Sequence, residues 1–191
     1  VTSMGRMFVR AISFESDLSN WDVSSVTDMH RVFDAASSFD SNLSNWDVSN
    51  AITMDGLFLD ATNFTSDLSS WDVSNVTSMA MMFTGAISFE SDLSNWDVSG
   101  VVNMHRMFDT ASSFDSDLSN WDVSSVTNFT SMFSRSGFSD ENKCAIHTSW
   151  SSNENWHYYW TEICNSLLEL CQPKNLKVSK GQSENTLTWN A

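Results

Sequence analysis

A 25-residue period constrains this chain more than any other feature of its sequence, and it runs from residue 1 to about residue 136. A Trp, a Leu and two Phe return at the same place in successive copies. The Trp column, for example, comprises Trp21, Trp46, Trp71, Trp96 and Trp121. One short unit cannot bury its own apolar residues, so the copies are expected to stack and to share one continuous core. The period therefore predicts a single repeat domain of about five and a half copies.

Two apolar spacings alternate within each copy. Residues 18–26 have the spacing of a leucine-rich repeat, which predicts a short strand within residues 20–24 and their equivalents. Residues 29–36 place apolar side chains at i, i+3, i+4 and i+7, which predicts a two-turn helix beginning near Met29. The column before that helix contains only good N-cap residues. Its members are Ser3, Asp28, Thr53, Ser78, Asn103 and Asn128. The predicted fold is an α/β leucine-rich-repeat-like solenoid.

The different spacings of strands and helices predict the shape of this solenoid. Parallel strands repeat every 4.8 Å or so, whereas packed helices need about 8–10 Å. We therefore expect the parallel strands on the concave side and the helices on the convex side.

Residues 137–171 break the period and are rich in aromatic side chains, as expected of a helical cap over the exposed end of the core. Ser139 is the predicted N-cap of one helix, and residues 158–170 are predicted to form another. We expect a disulfide between Cys144 and Cys164, because the cap must bring these helices together. Cys164 and Cys171 cannot pair within one continuous helix, since they would lie about 10 Å apart. Reduced thiols, a zinc site with the cap histidines and an aromatic sugar-binding platform remain alternatives.

The segment FESDLSNWDVSSVTDMHRVF, residues 14–33, resembles the repeat of BspA-like bacterial surface proteins, and its WDVS core recurs four more times. The resemblance covers residues 1–136. It implies an exported, cell-surface protein associated with adhesion, and no shared catalytic residues. The tail PKNLKVSKGQSENTLTWNA, residues 173–191, resembles the first two strands of a fibronectin type III domain. Residues 172–191 are thus expected to be a linker and the truncated start of that domain in a modular extracellular protein.

The charge of the chain argues against several kinds of partner. The net charge is −15, and residues 1–136 contribute −13 of it, with no Lys. Such a surface repels nucleic acid and anionic lipid, and no apolar run is long enough for a membrane span. The chain opens at Val1 in the middle of a repeat, so the absence of a signal peptide says nothing about export. No phosphate-binding loop or catalytic constellation is recognisable, and we predict that the protein is not an enzyme.

One acidic column is a candidate binding site. It comprises Asp22, Asp47, Asp72, Asp97 and Asp122. Each Asp lies between an inward Trp and an inward Val, so it is expected to point outward. At strand spacing, neighbouring carboxylates repel by about 1 kcal/mol in water. The hydroxyls of Ser19 and Ser24 and nearby backbone amides could offset this repulsion, or a bound calcium ion could. A second column, at Asp17 and its equivalents, is expected to bond turn amides of the next coil.

These features predict an extracellular or cell-surface module that binds a protein, a glycan or a cationic partner. The alternative is a passive spacer in a large adhesin or filament, whose repeats set length and stiffness. The near-identity of the strand columns between copies favours the spacer.

Overall fold

A computed structural model describes residues 1–170, although not the side chain of Leu170. Residues 1–136 form a stack of coils, one for each 25-residue copy. Neighbouring coils meet in parallel at isolated backbone bridges. These bridges are Ser3–Asp28, Asp28–Thr53, Thr53–Ser78, Ser78–Asn103 and Asn103–Asn128. Helix α1 (Asp140–Trp150) and helix α2 (Thr161–Leu170) follow the stack. The predicted tail domain lies outside the described residues.

The predicted α/β leucine-rich-repeat solenoid is wrong. Within residues 1–170 the only helices are α1 and α2, and no residues form an extended strand. The segments expected to be strands, residues 20–24 and their equivalents, contain turns. The segments expected to be helices, beginning near Met29 and its equivalents, are runs of consecutive turns. Neither a concave sheet nor a convex helical layer exists in this part of the chain.

In these runs of turns, every second backbone N–H donates to a carbonyl of the next coil. In a helix it would donate to the carbonyl four residues earlier. In the second coil, the N–H groups of Met29, Arg31, Phe33 and Ala35 donate to the third coil at 3.1, 2.8, 2.9 and 2.6 Å. The same four bonds recur at all five coil junctions, with lengths between 2.6 and 3.1 Å. The column predicted to cap helices lies at the start of this series of hydrogen bonds between coils. There the Asp28 carboxylate accepts the N–H of His30 at 3.0 Å.

Two residues of each coil adopt a left-handed backbone conformation. They are Arg6, Arg10, Arg31, Ala35, Gly56, Asp60, Met81, Gly85, Arg106, Thr110, Ser131 and Arg135, with φ between 52° and 71°. Ten of the twelve are not glycine, although this conformation costs an L-residue about 1 kcal/mol or more. In the first five coils, each of them donates its N–H to the next coil. The backbone hydrogen bonds between the coils therefore hold these residues in a conformation that they would otherwise avoid.

The spacing of the coils explains why helices are absent. The rings of the Phe8 column follow one another at 5.6–6.1 Å from coil to coil. Packed helices need about 8–10 Å between axes, so six helices could not follow this spacing. The apolar residues at helical spacing are nevertheless buried, because Met29, Val32, Phe33 and Ala36 are all fully enclosed. The turns thus bury the predicted core residues, but with a backbone conformation that is not helical.

Continuous columns of side chains form the core of the stack. Within a coil, two Phe rings stack face to face, as Phe58 and Phe64 do at 3.9 Å. Between coils, the indole N–H of Trp71 donates to the carbonyl of Leu43 at 3.0 Å, and Trp46, Trp96 and Trp121 make the equivalent bond. Each buried indole thus has both an apolar contact and a satisfied polar atom.

The cap covers the last coil. The hydroxyl of Ser139 accepts the N–H of Asn142, as expected of an N-cap before α1. The predicted second helix begins at Thr161, not at residue 158. A disulfide joins Cys144 of α1 to Cys164 of α2, with 5.0 Å between their Cα atoms, and this is the pair predicted from the sequence. Cys171 lies outside the described residues.

Candidate functional site

The position-22 ladder is the column Asp22, Asp47, Asp72, Asp97 and Asp122. All five side chains are exposed, although they project from irregular segments between two turns and not from a sheet. In the first four coils, one carboxylate oxygen of the Asp accepts both the N–H and the hydroxyl of the Ser two residues later. For Asp72 these distances to Ser74 are 3.0 and 2.6 Å. At Asp122 the N–H of Ser124 donates at 3.0 Å. Every carboxylate is therefore held by its own coil.

These hydrogen bonds favour the ionised form of every carboxylate in the position-22 ladder. The Ser74 hydroxyl, followed by its backbone N–H, lowers the pKa of Asp72 below its ordinary value. The pKa values of the other four are lowered in the same way, with the backbone N–H of Ser124 the larger cause at Asp122. Neighbouring rungs raise the pKa by a smaller effect, as Asp47 does for Asp72. Bonds that favour the charged form thus outweigh the repulsion within the column.

Ser24 contacts the position-22 ladder, but Ser19 does not. The Ser24 hydroxyl donates to Asp22 at 2.6 Å, whereas the N–H of Ser19 donates to Asp17 at 2.8 Å. Ser19 therefore belongs to the second acidic column.

The position-17 ladder is the column Asp17, Asn42, Asp67, Asp92 and Asp117. Each side chain accepts an amide of its own coil, not of the next coil as predicted. At Asp17, Asp67 and Asp92 the next coil supplies a hydroxyl instead. The N–H of Leu68 donates to the Ser91 hydroxyl at 2.9 Å, and that hydroxyl donates to Asp67 at 2.9 Å. This relay ties neighbouring coils together, so the position-17 ladder supports the stack.

An open acidic groove of about 590 Å³ lies beside the position-17 ladder. Glu90, Asp92, Asp115 and Asp117 line it together with several Ser side chains. Neither Glu90 nor Asp115 is among the site residues predicted from the sequence. The repeat itself could have indicated them, because their column also contains Glu15 and Asp40.

Within residues 1–170, no three or more His, Cys, Asp or Glu side chains come together where they could hold a metal ion. The hydrogen bonds that could offset repulsion in the position-22 ladder are present, and calcium binding there stays a prediction. A zinc site in the cap could not use the thiols of Cys144 and Cys164, because these two residues form the disulfide. His147 is also engaged, since its Nδ1 accepts the indole N–H of Trp156 at 3.0 Å.

The aromatic residues of the cap pack on the core. Trp156, Tyr158 and Trp160 are half-buried against it, and only Tyr159, 93 % exposed, lies open to solvent. One exposed ring does not form the sugar-binding platform considered from the sequence. No helix among the described residues is both long and apolar enough to cross a membrane.

This geometry defines a class of protein in which 25-residue coils stack through a backbone ladder and an aromatic core, closed at one end by a disulfide-linked helix pair. Residues 1–86 and 65–158 match the family described as "Mycoplasma protein of unknown function, DUF285". Because the two matches together cover residues 1–158, the chain belongs to this family. Neither the curated proteins nor the solved structures gave a match.

Proposed function

We propose that the coil stack is a non-enzymatic binding module of an extracellular or cell-surface protein, and that its acidic columns contact a cationic surface on a protein or glycan partner. The observation that carries this proposal is the position-22 ladder. Its carboxylates are exposed, regularly spaced and ionised, and each is oriented by a Ser of its own coil. Regular charges attract a cationic partner and orient it before contact.

Two observations support a location outside the cell. The disulfide between Cys144 and Cys164 favours an oxidising compartment, because such bonds are rare in the reducing cytosol. The repeat also resembles that of BspA-like surface proteins, whose members are typically exported. Adhesion is the role that this resemblance suggests.

Binding of a hexalysine peptide, measured by calorimetry at low and at physiological salt, tests the proposal. The variant Asp72→Asn/Asp97→Asn should bind several-fold more weakly than the unaltered protein, because it loses two central charges of the ladder. A matched control, Glu141→Gln/Glu154→Gln, removes the same charge from exposed positions in the cap and should have a smaller effect. Equal losses in both variants, or no binding at low salt, would contradict a specific acidic site.

Calcium is the second ligand to test. If the ladder coordinates calcium, millimolar calcium should raise the Tm by mass action, and Asp72→Asn should reduce the increase. Magnesium is the control, since it demands tighter geometry and releases water reluctantly. Equal effects of both ions, unchanged in Asp72→Asn, would exclude a calcium site.

A passive spacer is the second candidate function, and the uniformity of the coil junctions favours it. The same four backbone bonds recur at every junction, and the Trp46–Trp71 and Trp96–Trp121 rungs both measure 6.5 Å. Such a stack would set length through coil number alone. Small-angle scattering of variants with one and two additional coils should then show about 5–6 Å of extra length per coil, because hydrogen-bonded backbones lie about 5 Å apart and equivalent Phe rings 5.6 Å apart. Hexalysine should bind all of them weakly, with no dependence on Asp72.

A further inference from the structure

A groove of about 630 Å³ lies where the cap meets the last coil, and we call it the cap groove. Residues 121–124, 126 and 127 of the last coil line it together with residues 149, 150 and 152–155 of the cap. Its volume is within the range of roughly 300–1,000 Å³ that is usual for ligand-binding pockets. The cap groove is therefore large enough for a small ligand.

Trp150 lines the cap groove and carries an unsatisfied polar atom. Its side chain is 1 % exposed, and its buried indole nitrogen has no hydrogen-bond partner among residues 1–170. The ring stacks on Trp121 at 6.1 Å, in the place of a further member of the Trp column. The four buried members of that column each donate to a Leu carbonyl of the preceding coil. Since buried polar groups almost always have a partner, the N–H of Trp150 needs an acceptor that the described chain does not supply.

The last coil adds an unused acceptor to the cap groove. In every earlier coil, the carbonyl equivalent to that of Thr127 accepts a backbone N–H of the next coil, as the Val102 carbonyl does at 2.9 Å. The Thr127 carbonyl accepts no hydrogen bond from residues 1–170. Ser152 and Glu154 add an exposed hydroxyl and an exposed carboxylate. The groove thus combines a donor and several acceptors that lack the partners found at the other coil junctions.

The lining of the cap groove favours a ligand rich in hydroxyl groups. Its large apolar residues are enclosed, because Trp121, Val123, Val126 and Trp150 are between 1 % and 5 % exposed. The groove therefore offers no apolar pocket to a peptide side chain. A hydroxyl group both donates and accepts hydrogen bonds, so a sugar can satisfy donors and acceptors together.

The charge of the cap groove restricts which sugars fit. Asp122 and Glu154 both line it, and both are exposed. No Lys, Arg or His is among the lining residues. Two carboxylates without a cation repel an anionic ligand, so acidic sugars are disfavoured and neutral sugars are not.

We infer that the cap groove binds a neutral saccharide, with one hydroxyl accepting the indole N–H of Trp150 and another donating to the carbonyl of Thr127. This site is not an aromatic platform, because neither Trp150 nor Trp121 exposes a ring face. It also goes beyond the proposed contact with a cationic partner, since it uses hydrogen-bonding groups of the cap and not the charge of the acidic columns.

Nuclear magnetic resonance of the indole N–H groups, during titration of the full chain with maltose, cellobiose and lactose, tests the inference. At least one disaccharide should shift the assigned indole resonance of Trp150 saturably at millimolar concentration. The resonance of Trp46, in the second coil, should not move. Glucuronic acid is the control ligand and should bind at least about tenfold more weakly, because Asp122 and Glu154 repel its carboxylate.

A groove-filling variant and its neighbour make the test specific. Ser152→Phe places a ring in the cap groove and should weaken binding by at least about tenfold. Ser151→Phe is the matched control, because Ser151 is exposed and does not line the groove. Its binding should stay within about twofold of that of the unaltered protein.

Two results would overturn the inference. The first is a Trp150 resonance that none of the three disaccharides moves in the folded protein, since the N–H would then be left to water. The second is equal weakening of binding by Ser152→Phe and Ser151→Phe. Hexalysine tests the acidic columns separately, so its failure to bind would contradict the proposed function while saccharide binding in the cap groove would stand.

Discussion

The hydroxyl of Tyr158 accepts the backbone N–H of Phe133 at 3.1 Å, where in every earlier coil a carbonyl of the next coil accepts the equivalent N–H. One side-chain oxygen of the cap thus replaces a backbone group of the repeat. The same hydroxyl lies 3.3 Å from the carbonyl of Phe129 and donates to it. The cap therefore ends the series of backbone hydrogen bonds between coils by supplying an acceptor to the last coil. This arrangement leads to the first prediction.

Tyr158→Phe should lower the free energy of unfolding by about 1–2 kcal/mol, because the half-buried N–H of Phe133 loses its acceptor. Urea denaturation followed by Trp fluorescence would measure the change. Tyr159→Phe is the matched control, since that side chain is 93 % exposed and its loss should cost less than about 0.5 kcal/mol. Equal effects of the two substitutions would show that the hydroxyl of Tyr158 does not hold the cap.

Ala35→Gly should leave the free energy of unfolding unchanged or raise it by up to about 1 kcal/mol, because Ala35 has a φ of 56° that glycine adopts without penalty. In a helix the same substitution would cost about 1 kcal/mol. Ala145→Gly, within α1, is the helical control and should show that loss. If both substitutions destabilise the protein equally in urea, residues 29–36 do not have the described turns.

Trp71→Phe should destabilise the stack by about 2 kcal/mol, because it removes the bond from the indole to the Leu43 carbonyl and part of a buried stacking surface. Thermal and urea unfolding would both report this. Trp21→Phe removes a side chain that is 42 % exposed and should cost less than half as much. A larger effect at Trp21 would be inconsistent with the exposed position of this side chain in the first coil.

The pKa of Asp72 should lie below the ordinary Asp value, and Ser74→Ala should raise it, because the Ser74 hydroxyl stabilises the carboxylate. Since the pKa is lower in the folded state, this carboxylate stabilises the protein above the unfolded-state pKa. That stability is lost as the pH falls through the folded-state pKa. Carboxyl chemical-shift titration would give the pKa, and the drop in Tm on acidification should be smaller in Ser74→Ala. An unchanged pKa in this variant would show that the hydroxyl does not hold the carboxylate.

Cys144→Ser/Cys164→Ser should destabilise the cap by about 3 kcal/mol, as expected for a bridge whose cysteines are 20 residues apart. Limited proteolysis should then cut near α2 first, since Ile146 and Trp150 still anchor α1 in the core. The amides of the central coils should keep their protection from hydrogen exchange. In the unaltered protein, three reactive thiols after unfolding without a reductant would contradict the bridge.

The sequence by itself determined the stacking, the core and the covered end of this protein. Comparison of the copies identifies the buried columns, because a residue that packs on its own equivalent in the next coil must recur with the period. Leu43, Trp46, Phe58 and Phe64 are all buried as the columns predict. The cap could be predicted because its aromatic composition and the N-cap at Ser139 are local signals.

The tertiary structure alone decided the backbone conformation of each coil. Apolar residues at i, i+3, i+4 and i+7 can be buried by a helix or by consecutive turns, and the local sequence does not distinguish them. Glycine, the usual signal of left-handed residues, occupies only two of the twelve left-handed positions, Gly56 and Gly85. The contacts of Asp72 with Ser74, and of Ser19 with Asp17 instead of Asp22, likewise depend on the turns. The deciding factor is the spacing between coils, because aromatic columns 5.6–6.5 Å apart leave no room for stacked helices and bring each N–H within reach of the next coil.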